Sequence, residues 1–80
     1  MKLPVIKHLA ETYTIEQLKE AEEALLNEQK PVIDIEGADE GEQLTHVIAA
    51  ISILEDMAKN NLDIRNAMRN YTQRVRNSIS

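Results

Sequence analysis

One stretch, Glu42 to Asn60 (EQLTHVIAAISILEDMAKN), constrains the fold of this chain more than any other. At about 100° per residue, Leu44, Val47, Ile48, Ile51, Leu54 and Ala58 share one face, and Ala49, Ala50, Ile53 and Met57 carry the apolar surface round the helix. Only Thr45, Ser52, Glu55, Asp56 and Lys59 are left for water. A helix that is apolar on nearly all sides must be covered on more than one of them. The stretch is therefore expected to be the central helix of a bundle.

The flanking segments supply the covers. Pro4 suits a first helical turn, where its missing N–H costs nothing, and Val5, Ile6 and Leu9 give a helix over Pro4–Glu11 an apolar side. The clustered β-branched residues of Leu3–Ile6 make a strand the competing reading. Thr14 and Gln17 have capping-box spacing for a helix from Ile15 to about Gln29, with Ile15, Leu18, Ala21, Leu25 and Leu26 in one arc. Pro31 stops it by excluding α geometry at the residue before.

Val32, Ile33 and Ile35 then alternate with Asp34 and Glu36 as a short extended segment over 31–36. A strand there would need a partner: the N-terminal stretch, the same segment of another chain, or none if it is an apolar connector across the bundle. Asp39 and Glu42 form a second capping box opening the central helix, and Asn60–Asn61 suits a left-handed stop. A last helix, capped by Asp63 or Asn61, carries Ile64, Ala67, Met68, Tyr71, Val75 and Ile79 as a core-facing seam. The expected fold is all-α: one domain over 1–80, a three- to four-helix bundle with an extended segment at 31–36.

Eighty residues bury only about 60% of the surface an unfolded chain exposes, and this chain has no Phe, Trp or Cys to thicken its core. Association with a second copy would help. The small residues Ala49 and Ala50 permit close approach, so Glu42, His46, Ala49, Ala50, Ile53 and Met57 are expected at or near the interface of a homodimer. No apolar run approaches the ~20 residues that span a bilayer, and Pro4, Lys7 and His8 interrupt any signal-peptide pattern, so a cytoplasmic protein is expected.

The net charge of −5 disfavours nucleic acid, whose affinity comes mainly from phosphate neutralisation. Charge is unevenly placed, however. Residues 11–42 hold eleven acids against Lys19 and Lys30, whereas 63–80 hold Arg65, Arg69, Arg74 and Arg76 against Asp63. Glu16, Glu20 and Glu23 form an acidic stripe that is a solvated face, a ligand set, or the complement of the Arg65, Arg69 and Arg76 row.

Chemistry-bearing sets are sparse. Glu42 and His46, one turn apart, could form a metal pair or an oriented base, but the di-metal bundle pattern is a repeated Glu-x-x-His and here the spacing is Glu-x-x-x-His, once. A histidine hydrogen-bonded at a helix interface is the simpler reading. Met57 and Met68 read as packing rather than an adaptable groove. No catalytic, metal or cofactor residue is assigned.

The opening residues Met1-Lys2-Leu3-Pro4-Val5-Ile6-Lys7-His8-Leu9 resemble the start of a family of short uncharacterised bacterial proteins, a domain of unknown function. The resemblance implies a small bacterial cytosolic protein with no activity to carry over. The leading expectation is a non-enzymatic interaction or regulatory module acting as an oligomer. A nucleic-acid-associated regulator using the arginine-rich last helix comes second, and a metal-dependent enzyme third.

Overall fold

A computed structural model describes residues 2–79, with side chains to Asn77. Four helices follow in order: α1 (Leu3–Thr12), α2 (Ile15–Leu26), α3 (Glu40–Asn60) and α4 (Ile64–Ile79). The fold is all-α. Each of α1, α2 and α4 packs on α3, and no two of them pack on each other to a comparable extent. The extents of 32 × 28 × 18 Å describe a slab.

Local signals set the boundaries. Leu3–Ile6 is helical rather than extended, with Pro4 in its first turn. The Thr14 hydroxyl accepts from the Gln17 amide at 3.2 Å while Gln17 Oε1 accepts from the Thr14 amide at 2.9 Å, a complete capping box. Helix α2 ends at Leu26, three residues before the expected Gln29, because Glu28 turns left-handed (φ 58°) before Pro31 can act. Asn61 is also left-handed, at φ 52°, and closes α3 by donating its N–H to the Met57 carbonyl. Asp63 caps α4, its carboxylate accepting from the Asn66 amide at 2.9 Å.

The Asp39 box forms by half. Its carboxylate accepts from the Glu42 amide at 2.8 Å, but the Glu42 carboxylate reaches past it to the Ala38 N–H, also at 2.8 Å.

The core is one cluster: Val5, Ile6, Leu9 and Ala10 of α1; Leu18, Ala21 and Leu25 of α2; Val47, Ala49, Ala50, Ile51 and Ile53 of α3; Ala67 of α4; and Ile35 of the connector. Among the described residues, 31–36 form no strand. The segment is an apolar connector laid across the bundle, with Ile35 buried, Ile33 half-buried and Val32 wholly exposed. Gly37 permits its close approach to α3, since a Cβ there would stand 2.8 Å from the Gln43 backbone nitrogen.

Candidate functional site

The capped start of α3 presents Glu42, Gln43 and His46 toward the connector, and each takes one of its backbone groups. Glu42 Oε1 accepts from the Ala38 N–H. Gln43 Nε2 donates to the Ile35 carbonyl at 3.0 Å, and His46 Nδ1 lies 2.8 Å from the Glu36 carbonyl. A lone extended segment thus finds helix side chains where a neighbouring strand would otherwise serve.

His46 also reaches a third element. It is fully buried, and among the described residues it is the one polar side chain in the buried core. Its Nε2 accepts from the Lys2 amide at 2.9 Å, at the residue that precedes α1 and has no capping side chain of its own. These partners assign the tautomer: a carbonyl can only accept, so Nδ1 carries the proton and Nε2 the lone pair. Both ring nitrogens are committed to backbone groups, leaving neither for a metal or a substrate proton.

Glu42 therefore does not orient His46; its hydrogen bond from Ala38 holds the carboxyl below its ordinary value. Among the described residues, no three His, Cys, Asp or Glu side chains stand close enough to share a metal ion.

The expected interface needs correction. His46, Ala49, Ala50 and Ile53 are each 0% exposed within a single chain, so they have no surface to offer a second copy. The alanines do permit close approach, but it is the same chain that covers them, since α1, α2 and α4 all pack on α3. Of the six residues only Glu42 and Met57 are half-buried.

The surface open to partners lies elsewhere. Among the described residues helix α4 packs chiefly on α3, and of its seam only Ala67 is buried, while Ile64, Met68, Tyr71 and Val75 stay half-buried. The side chain of Ile79 lies outside the described residues. Arg74 is tied to the bundle, with its guanidinium 5.9 Å from the Tyr71 ring centroid and its Nη2 3.5 Å from the Ser52 hydroxyl. Arg65, Arg69 and Arg76 are exposed, and among the described residues they have no hydrogen-bond or ion-pair partner. Glu16, Glu20 and Glu23 are exposed on α2 and likewise form no ion pair with a described residue. The two rows do not meet within the chain.

Sequence reading singled out both rows but not the exposed Leu26 and Ile48. Periodicity puts these two in apolar arcs. No helix of the described residues is long and apolar enough to cross a membrane.

A protein-family model described as a family of unknown function, DUF6952, matches residues 1–80, and the chain belongs to that family. The resemblance carried by the first nine residues thus extends over the whole chain. No curated protein matches it, and no solved structure does.

Proposed function

We propose that this member of a family of unknown function is a non-enzymatic interaction module that works in the cytoplasm as a homo-oligomer, most simply a dimer. One observation carries the reading. The chain exposes 5498 Å² for a mass of 9.1 kDa, whereas a folded monomer of that mass is expected to expose about 4,900 Å². The excess, about 600 Å², approaches the ~800 Å² that each partner contributes to a standard interface. The partly covered seam of α4 is apolar surface that a second copy would cover. The engagement of both His46 nitrogens by backbone groups also favours a scaffold role over a catalytic one for that residue.

Sedimentation equilibrium at micromolar concentration is expected to give twice the chain mass or more. A single species of 9.1 kDa throughout that range would overturn the reading.

The unpaired Arg65, Arg69 and Arg76 give a second reading, a nucleic-acid-associated regulator, since exposed arginines suit phosphate. The acidic chain behind them opposes it. Retention of mixed-sequence RNA or DNA that is lost on replacing the three with alanine would promote this alternative.

A further inference from the structure

We propose that two copies of this chain join by seating the acidic row of α2 on one copy, Glu16, Glu20 and Glu23, against the arginine row of α4 on the other, Arg65, Arg69 and Arg76. The inference rests on the oligomeric reading above and specifies its surface.

Three observations support the second copy as the occupant. Each row is exposed and without an ion-pair partner among the described residues of its own chain, although opposite charges of matching number sit on the same molecule. The spacings agree: Glu16 and Glu23 are seven residues apart, as are Arg69 and Arg76, so both pairs rise about 10.5 Å along their helices and adjoining helices bring them into register.

Each row also borders apolar surface. Leu26, 63% exposed, stands one turn after Glu23 on α2, and the partly buried Val75, which is not among the residues packed on the core, borders the arginines on α4. An apolar strip edged by charges is the anatomy of a specific interface, in which burial supplies affinity and charge selects the partner and its orientation. In a reciprocal pair, Glu16 and Glu23 of each copy meet Arg69 and Arg76 of the other, with Glu20 and Arg65 adding charge of the right sign at the same contacts.

The test uses two full-length variants. One carries Glu16→Lys, Glu20→Lys and Glu23→Lys, and the other Arg65→Glu, Arg69→Glu and Arg76→Glu. All six sites are exposed, and helical circular dichroism checks that each variant folds. Each variant alone sets like charges opposite one another and is expected to raise the dissociation constant by about tenfold or more, the sum of several small surface terms. An equimolar mixture restores opposite charges at both contacts and is expected to recover association close to that of the wild type. Raising ionic strength from about 0.05 M to about 0.5 M should weaken the wild type, as screening predicts.

Association of either variant at wild-type strength, or a mixture that stays dissociated, would overturn this surface while leaving the oligomer intact. A monomeric wild type would overturn both.

Discussion

His46 shows how one side chain can fasten three parts of a small fold. From α3 it takes the amide of Lys2 ahead of α1 and the carbonyl of Glu36 in the connector. Replacing it with alanine strands both backbone groups and opens a void in a core built without Phe or Trp. An unsatisfied polar group at a partly covered site costs about 1–3 kcal/mol. With the lost packing, His46→Ala is therefore expected to lower unfolding free energy by about 2–4 kcal/mol, read as a lower urea midpoint at unchanged slope. Unaltered stability would mean that the ring is not a fastener.

Glu42 supports a pH prediction. Its carboxyl is held below the ordinary value chiefly by the Ala38 N–H, so the ionised form is favoured by folding. The contribution is thus fully present above the ordinary glutamate value and is lost as pH falls through the lowered one. Glu42→Gln keeps an acceptor for Ala38 but cannot titrate. Its acid-unfolding profile should be flatter than that of the wild type below the usual carboxylate range, and superimposable profiles would rule the effect out. The identity of this residue was legible in the sequence, but its partner was not. A capping box is a pattern of residue types, and whether the glutamate reaches the cap residue or the one before it depends on the path of the connector.

At the scale of elements, all four helices could be read from periodicity and caps, because those signals lie within a few residues of one another. What covers each face could not. Angular position separates Ala49, Ala50 and Ile53 from the Ile48 side of α3, and a thin core of eighty residues with small residues on that second face points to a second chain as its cover. In the structure Val5, Ile6, Leu9 and Ala10 are buried from a helix of ten residues that packs on α3. Packing between segments forty residues apart leaves no periodic trace in either of them. The connector is a similar case: alternation of Ile33, Asp34 and Ile35 suggests a strand, and only the folded chain shows Gln43 and His46 supplying its hydrogen bonds.

Helix α4 has the opposite character, with a strong apolar seam and, among the described residues, α3 as its one substantial neighbour. Segments with few buried contacts open at less than the global free energy. Native-state hydrogen exchange in dilute solution should therefore show α4 amides less protected than those in the middle of α3 by about ten- to a hundredfold, roughly 1.4–2.8 kcal/mol of opening free energy. Equal protection would mean that α4 unfolds only with the rest. If α4 is an interface element, its protection should rise with protein concentration while that of α3 follows global stability.

For the whole molecule, the decisive quantity is the surface it leaves uncovered. A slab with a shortest extent of 18 Å has little interior, and the residues that fill it are aliphatic and small. Five of the fourteen apolar core residues are alanine, each burying less than the leucine or isoleucine that a thicker bundle would place there. A fold with this balance gains from any contact made only by the native state, because binding to the folded form alone stabilises it by mass action. Self-association provides such a contact at a strength set by protein concentration. For a chain of 80 residues, whose unfolding enthalpy scales at about 0.7 kcal/mol per residue, a native dimer that dissociates on unfolding should gain about 3–5 °C in Tm for each tenfold rise in concentration. Calorimetry across two decades of concentration measures this directly. The slope should shrink in the arginine-to-glutamate variant, which keeps the core but loses the proposed contact. A Tm independent of concentration in the wild type would show that the thin core is sufficient alone and that the exposed seam of α4 serves something other than a second copy.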